Sequence, residues 1–156
     1  MREATLAFII QDNHLLLGEK KRGEIGTGTL NGPGGKQDPG ETLVECLVRE
    51  TEEEMKIILD PDKLEKVAII TFYANGAPDF NVHIYRTGHF VGELRETDDM
   101  YQPEWYPIDQ LPFDRMLESD HEWFLKVAQG ERFTANVYYQ KQAKGFERIE
   151  FFPFPD

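Results

Sequence analysis

Residues 34–56 read GGKQDPGETLVECLVRETEEEMK, and they contain the clearest helix signal in the chain. Thr42 and Glu45 form a capping-box pattern, in which each side chain satisfies a backbone donor at the start of a helix. We therefore predict a helix from Thr42 to Lys56, preceded by a glycine-rich loop. At roughly 100° per residue, several side chains fall on one arc that we expect to face a sheet: Leu43, Val44, Leu47, Val48, Thr51 and Met55.

The glutamates of this helix divide into two sets by their spacing. Glu50, Glu53 and Glu54 fall together beside the apolar arc, whereas Glu45 and Glu52 point away from it. Glu54 lies nearest the arc, so we expect it to be the least exposed. Like charges at these spacings destabilise a helix by roughly 0.2–0.5 kcal/mol per pair, and a hard divalent cation removes the repulsion. The trio predicts either a metal site or an ordinary acidic helix face.

The rest of the chain predicts a mixed α+β fold in one domain, residues 1–156, with a sheet between helices. A second helix is expected from Ser119 to Gln129, with Ser119 and Glu122 as a capping box and Gly130 as its stop. The loop Lys20–Pro39 is longer than a structureless connection usually is, which suggests a functional role. The strands are expected at these positions: Thr5–Gln11, His14–Glu19, Lys66–Tyr73, Asn81–Phe90, Trp105–Ile108, Arg132–Gln140 and Glu147–Phe152.

Composition narrows the classes of partner. The net charge of −12 disfavours binding to nucleic-acid polymers. If the substrate is an anionic nucleotide, this charge implies divalent cations at the phosphates. The alternative is that the charge serves only to keep the protein soluble. The single cysteine, Cys46, excludes an internal disulfide and favours a reducing compartment. The sequence has neither a long apolar span nor a signal-peptide pattern. We therefore expect a cytoplasmic protein, monomer or homodimer, without a membrane partner.

The motif as a whole resembles the Nudix box. The matching positions are Gly35, Glu41, Arg49, Glu50, Glu53 and Glu54, with a glycine loop leading into a helix. The resemblance implies a Nudix fold, an α/β/α sandwich with a mixed sheet, and a Mg²⁺ or Mn²⁺ cofactor. It also implies the roles of individual residues: Glu50, Glu53 and Glu54 as metal ligands, Arg49 as the residue that orients them, and Gly34 or Gly35 as a source of a backbone carbonyl.

Two positions depart from the box. Thr51 stands where an apolar residue is usual, and we expect its methyl group to pack while its hydroxyl bonds to the preceding turn. Lys56 stands where a glycine usually supplies a left-handed residue, which a lysine adopts at a cost of about 1–2 kcal/mol. We expect the lysine to bear that cost, or the helix to continue or to end in another turn.

For the reaction, direct attack of water on phosphorus is the simplest hypothesis, because no Ser-His-Asp or Cys-His motif is evident in the sequence. Glu53 and Asp99 are the candidates for the general base, and Glu54 is mainly a ligand. Asp99 belongs to the acidic segment Glu93–Asp99 and lies at a family-like position. The alternative for Asp99 is a solvated acidic turn.

Most of the chain also resembles the branch of the family that hydrolyses oxidised purine nucleoside triphosphates, the 8-oxo-dGTP diphosphatase type. Matching stretches include Leu15–Gly23, Asn31–Lys36 and Ile108–Phe113. The resemblance implies release of a nucleoside monophosphate and pyrophosphate, which keeps damaged bases out of nucleic acid. It further implies a substrate site formed by Thr5, Lys20, Asn31, Gly34, Phe72, Phe80, Leu117, Ser119 and Asp120.

The base pocket departs from that branch at two positions. Ser119 replaces an aspartate and Leu117 replaces a tryptophan, so one carboxylate and one stacking plane are missing. Structural alternatives are open for others: Asn31 as a turn residue, Ser119 as an N-cap, and the phenylalanines as core. Two further functions stay open, a Nudix hydrolase of ADP-ribose or a dinucleoside polyphosphate, and a non-catalytic nucleotide sensor.

Overall fold

The computed structural model describes residues 1–23 and 26–155, and within them it contains two α-helices and ten β-strands. The helices are α1 (Leu43–Met55) and α2 (Asp120–Ala128). The strands are β1 (Arg2–Gln11), β2 (His14–Lys20), β3 (Leu30–Asn31), β4 (Ile58–Leu59), β5 (Glu65–Ala74), β6 (Ala77–Thr87), β7 (Phe90–Val91), β8 (Met100–Pro107), β9 (Phe133–Lys141) and β10 (Lys144–Pro153).

The main sheet is mixed, as predicted. Its strand order is β10-β9-β5-β6-β1-β2-β3, and β8 pairs with β2 beside this path. β1 pairs in parallel with β6, and β5 in parallel with β9, whereas the other pairs of this sheet are antiparallel. A separate two-stranded sheet joins β4 to β7.

Strand β1 explains why the sheet has a helix on each face. Successive side chains of a strand point to opposite faces, and in β1 both sets are apolar. Leu6 and Phe8 belong to a core that includes Trp123 and Phe124 of α2. Ala7 and Ile9, together with Leu47 of α1, belong to the other core. The predicted α/β/α sandwich is therefore confirmed.

The predicted elements are all present, with shifted ends. The strand expected at Asn81–Phe90 is divided: β6 ends at Thr87, and Phe90 pairs with Leu59 in the small sheet. The strand expected at Trp105–Ile108 begins earlier, at Met100, because it pairs along β2. Residues 24 and 25 of the predicted loop Lys20–Pro39 lie outside the described residues.

The ends of α1 follow the motif that predicted them. Both hydrogen bonds of the capping box form, from Glu45 N–H to Thr42 and from Thr42 N–H to Glu45. Lys56 terminates the helix in the left-handed conformation, with φ 60° and its N–H bonded to Glu52 O at 3.0 Å. The lysine thus adopts the left-handed conformation that a glycine usually supplies. Of the three expected outcomes, the lysine that bears the conformational cost is the one observed.

The expectation for the Thr51 hydroxyl was wrong. Thr51 is fully buried, as the apolar arc predicts. Its hydroxyl, however, finds no hydrogen-bond partner among the described residues. Packing of the helix on the sheet, and not a bond to the preceding turn, therefore determines its environment.

Within residues 1–23 and 26–155, neither helix has the length and hydropathy needed to cross a membrane.

Candidate active site

A cavity of about 360 Å³ brings residues from both helical layers together. One end is formed by α1 with the glycine-rich loop and the acidic loop, and the other by α2 with strands β5 and β6. Of the residues predicted from sequence, the following line it: Thr5, Lys20, Asn31, Gly34, Gly35, Glu50, Glu54, Phe72, Phe80, Asp99, Leu117 and Asp120. Arg49, Glu53 and Ser119 occupy other positions, as described below.

Glu54 is the most enclosed acid of α1, as the helix wheel predicted. Its residue exposure is 5%, and the Gly34 N–H donates to its Oε1 at 2.8 Å. Burial, together with the charges of Glu50 and Asp99, raises the pKa of the Glu54 carboxyl to about 8 against the opposing effects of the Gly34 N–H and Lys20. Three acids therefore repel one another across this end of the cavity.

Glu50 lies against Gly35, and this contact explains the glycine. A Cβ on Gly35 would lie 2.5 Å from the Glu50 carboxyl carbon, so a larger residue would displace the Glu50 carboxylate from this position. Burial raises the pKa of Glu50, and its hydrogen bond from Arg49 opposes that shift. The glycine loop and α1 are thus packed together through the acid that they share.

Arg49 has a partner that the sequence prediction missed. Its guanidinium donates to both oxygens of Glu41, at 2.7 and 3.0 Å, and to Glu50 Oε1 at 3.0 Å. The hydrogen bond from Arg49 lowers the pKa of Glu41 to about 2. Glu41 is a fixed position of the box, which is the signal that could have identified it. Arg49 therefore ties the loop carboxylate to Glu50.

Glu53 departs from the prediction that three glutamates converge. Its side chain is 51% exposed and approaches Arg49 at 3.4 Å, in a cleft on the outer side of α1 that also contains Val48 and Lys56. No group of three or more His, Cys, Asp or Glu side chains suited to a metal ion occurs among residues 1–23 and 26–155. The three glutamates do not converge in this structure, because Glu53 lies at the outer face beside Arg49, one turn earlier, while positions 50 and 54 face inward.

The Thr97 side chain links the acidic loop to the end of α1. The Thr97 hydroxyl donates to Glu54 O at 2.8 Å and accepts the N–H of Asp99 at 3.2 Å. This arrangement places Asp99 at the cavity, where Arg22 approaches it at 3.6 Å. The side chain of the neighbouring Asp98 is 93% exposed. Asp98 and Asp99, which are adjacent in sequence, therefore have different environments.

The other end of the cavity presents aromatic and amide groups. Phe72 and Phe80 line it from β5 and β6. The Asn31 side-chain oxygen accepts the Gly32 N–H at 2.8 Å, which fixes the orientation of its amide. The Thr5 hydroxyl lies 3.4 Å from Cys46 Sγ, and burial raises the pKa of that thiol to about 11. Asn31 thus combines the turn role with a place in the lining.

Asp120 is the buried acid of this end. Its residue exposure is 1%, and burial raises the pKa of its carboxyl well above the ordinary 3.8, while a backbone hydrogen bond from Leu117 opposes the shift. Its Oδ2 has no hydrogen-bond partner within the described part of the chain. The carboxyl therefore favours its neutral form and has an oxygen available for a ligand.

Among the described residues, the Ser119 side chain forms no capping hydrogen bond, contrary to the predicted cap, and Ser119 does not line the cavity. It is fully buried, and its hydroxyl accepts a hydrogen bond from Tyr139 at 2.8 Å. The Ser119 N–H donates to the same Tyr139 oxygen at 2.9 Å. Tyr139 on β9, far away in sequence, thus bonds to the Ser119 hydroxyl, which the capping pattern had paired with Glu122.

Several further residues of the lining were missed. They are Ala4, Leu6, Arg22, Gly23, Gly32, Lys36, Asp38, Val82 and Trp123. Ala4 lies opposite Val82, and Leu6 opposite Ile84, in the parallel β1–β6 pair. Neither local pattern indicates that these strands are neighbours. Trp123 follows Asp120 by one helical turn, and this spacing was the available signal.

Comparison with known proteins agrees with this geometry. The NUDIX domain model matches residues 1–127. Two curated relatives are each named oxidized purine nucleoside triphosphate hydrolase. The Danio rerio protein is 39% identical over 137 residues, which cover 87% of this chain and 85% of the relative. The Mus musculus protein is 38% identical over 139 residues, which cover 88% and 86%.

A solved structure shows the same fold over the whole chain. The MutT protein from Bacillus halodurans superposes with a TM-score of 0.78 at 20% identity, covering 99% of this chain and 100% of that one. The family match, the two relatives and the arrangement of the box helix against the glycine loop lead to one conclusion. The chain belongs to the Nudix hydrolase family.

Proposed function

We propose that this chain hydrolyses oxidised purine nucleoside triphosphates, such as 8-oxo-dGTP, to the nucleoside monophosphate and pyrophosphate, and so removes damaged precursors from the nucleotide pool. The observation that carries the proposal is one cavity with two chemically different ends. Glu50 and Glu54 line the end formed by α1, suited to a polyphosphate with its cation, and Asn31 of β3 and Asp120 at the start of α2 also line the cavity, suited to a base edge. The named activity of the two vertebrate relatives supports this assignment.

The residues of the acidic end fit a hard divalent cation. The fit rests on Glu50 and Glu54, whose pKa values are raised by burial and by the charges of their acidic neighbours. Mg²⁺ is commonly held by one or two carboxylates plus substrate phosphates. Glu50, Glu54 and the carbonyl of Gly34 would hold it, because the Gly35 carbonyl already accepts the Thr5 N–H at 2.9 Å.

Glu53 would join these ligands after a change of side-chain rotamer. Its contacts with Arg49, at 3.4 Å, are long for a charge-assisted hydrogen bond, so little holds it at the outer face. When bound, the cation supplies charge neutralisation at the phosphate oxygens and lowers the pKa of water. Mn²⁺ has the same preference for oxygen ligands.

Asp99 is our choice for the general base that accepts the proton of the attacking water. It faces the cavity, whereas Glu53, the other candidate, lies at the outer cleft. Arg49 acts as a positioning residue. Two hydrogen bonds to Glu41 hold its guanidinium in place, and the guanidinium in turn fixes Glu50. Lys20 and Arg22, which also line the cavity, contribute positive charge toward the phosphates.

At the base end, Asn31 and Asp120 provide hydrogen bonds, and Phe72 and Phe80 provide apolar surface for a purine. Leu117 packs at the same end without an aromatic plane. We place the enzyme in the cytoplasm, because its one cysteine is a buried thiol whose pKa is raised to about 11. A thiol in that state is unreactive and needs no oxidising compartment.

The test is a substrate panel with Mg²⁺, comparing 8-oxo-dGTP, dGTP, ADP-ribose and a dinucleoside polyphosphate by product analysis. We expect nucleoside monophosphate and pyrophosphate from 8-oxo-dGTP, with the highest kcat/KM of the panel. AMP and ribose phosphate from ADP-ribose as the best reaction would overturn the substrate assignment. Nucleotide binding without turnover on the whole panel would indicate a sensor and overturn the catalytic one.

A further inference from the structure

Two residues that line the base end of the cavity each have a buried polar atom without a hydrogen-bond partner within residues 1–23 and 26–155. The atoms are Asp120 Oδ2 and Trp123 Nε1. The residues are one turn apart on α2, both are at most 2% exposed, and both line the cavity. An unpaired buried polar atom is strongly unfavourable, and a ligand atom that pairs with it recovers the loss.

The hydrogen-bonding character of this end is determined by three side chains. Trp123 Nε1 can only donate. The oxygen of the Asn31 amide accepts the Gly32 N–H, which leaves both hydrogens of its NH₂ group available to a ligand. Asp120 is enclosed, accepts a backbone hydrogen bond from Leu117 and favours its protonated form, whose O–H also donates. All three side chains therefore offer donors to a bound base.

We propose that the Trp123 indole N–H is a base-recognising donor that acts beside Asn31 and Asp120, and that these donors make the site select purines with oxo groups over purines with amino groups. A carbonyl oxygen accepts from such donors. An amino group placed at the same point sets N–H against N–H and leaves the protein donors unpaired. This inference rests on the proposed function in requiring a purine base at this end of the cavity.

The selectivity differs from simple recognition of oxidative damage. Oxidation of a purine adds an oxo oxygen, so oxidised purines satisfy the donors, but so does an ordinary 6-oxopurine. Hypoxanthine and adenine differ at C6, where hypoxanthine has oxygen and adenine has an amino group, and neither is oxidised at C8. The pair therefore compares a 6-oxopurine edge with a 6-aminopurine edge, which also differ in the hydrogen that N1 of hypoxanthine carries and N1 of adenine lacks.

The first test measures binding of two monophosphates to the full chain by isothermal titration calorimetry, so that no turnover intervenes. We expect 2′-deoxyinosine monophosphate to bind about tenfold more tightly than 2′-deoxyadenosine monophosphate, which is the usual scale for a buried mismatch of donors. Equal affinities, or tighter binding of the adenine nucleotide, would overturn the proposal. This comparison needs no mutation and holds whatever the variants do.

The second test assigns the effect to the indole. Trp123→Phe should reduce the ratio of the two affinities at least threefold, by an effect of about the size of one hydrogen bond, mainly through weaker binding of the inosine nucleotide. Val127→Ala is the control, because Val127 is a fully buried core residue on the next turn of α2. It should lower thermal stability and keep the ratio. A folded Trp123→Phe protein with the wild-type ratio would overturn the role of Trp123.

The two proposals fail in distinguishable ways. If oxidised purine triphosphates are not hydrolysed while the inosine nucleotide still binds about tenfold more tightly, the proposed function is wrong and the donor selectivity stands. If 8-oxo-dGTP is hydrolysed and the two monophosphates bind equally, the donor selectivity is wrong and the proposed function stands.

Discussion

The two ends of the cavity each contain a buried carboxyl group with a raised pKa, but the neighbours of the two groups differ. Glu54 lies among acids, and the charges of Glu50 and Asp99 add to the effect of burial. Asp120 lies beside Trp123 and Leu117, and burial alone dominates its shift. One environment favours a bound positive charge, and the other favours a neutral hydrogen-bond donor. The neighbours of a buried carboxyl group thus determine whether it favours a bound cation or acts as a neutral hydrogen-bond donor.

The largest effect is expected for Glu54→Gln, which tests the acidic end of the cavity. We expect kcat/KM for 8-oxo-dGTP to fall about a hundredfold or more, because the charge stabilisation at the phosphates is worth several kcal/mol. The melting temperature should stay the same or rise, since glutamine removes the charge that burial penalises. Glu52→Gln is the matched control, an exposed glutamate of the same helix. Near-normal activity of Glu54→Gln would remove Glu54 from the site.

Arg49→Lys tests how the acidic end is positioned. A lysine cannot contact both oxygens of Glu41 while also reaching Glu50, so the carboxylates lose their fixed orientation. We expect the Mg²⁺ concentration for half-maximal activity to rise about tenfold. Arg132→Lys, whose guanidinium lies over the Phe154 ring, should leave that concentration unchanged. If Arg49→Lys also leaves it unchanged, the arginine is only a structural ion-pair partner.

Asp120→Asn tests the opposite end of the cavity through the pH dependence of stability. The folded state holds the Asp120 proton more tightly than the unfolded chain, which releases it once pH exceeds the ordinary pKa of 3.8. Wild-type stability should therefore decrease relative to Asp120→Asn as pH rises above that value. Denaturant unfolding of both proteins at acidic and neutral pH measures the difference. A difference that is constant with pH would show that Asp120 is ionised in the fold.

The smallest expected effect is that of Tyr139→Phe. The change leaves the buried Ser119 N–H and hydroxyl without the tyrosine oxygen, so the free energy of unfolding should fall by about 1–3 kcal/mol. Tyr138→Phe, on the more open face of the same strand, should cost less than about 0.5 kcal/mol. Urea titrations of the two variants give both values. Equal losses would mean that the Tyr139 contact does not hold the start of α2.

The sequence predicts the acidic end better than the base end, for a physical reason. The burial of Glu54 and the inward direction of Glu50 follow from positions on one helix, where spacing fixes geometry. The partners of the base end come from distant elements. The capping pattern of Ser119 is locally sound, yet Tyr139 of β9 takes its hydroxyl.

Local sequence patterns also did not predict two further features. Glu53 has the right spacing for the trio, but its side chain lies beside Arg49 on the outer side of α1. The parallel pairing of β1 with β6, which places Leu6 and Val82 in one wall, depends on the whole sheet. Strand periodicity identifies a strand but leaves its neighbour undetermined.

The most direct test of the central claim is a ³¹P NMR time course of 8-oxo-dGTP with the wild-type protein, with Mg²⁺ and again with a chelator. We expect the nucleoside monophosphate and inorganic pyrophosphate signals to grow together when Mg²⁺ is present, and the triphosphate to persist when the chelator is added. Release of orthophosphate in place of pyrophosphate, or undiminished turnover with the chelator, would contradict a cavity in which buried glutamates bind a cation against a polyphosphate.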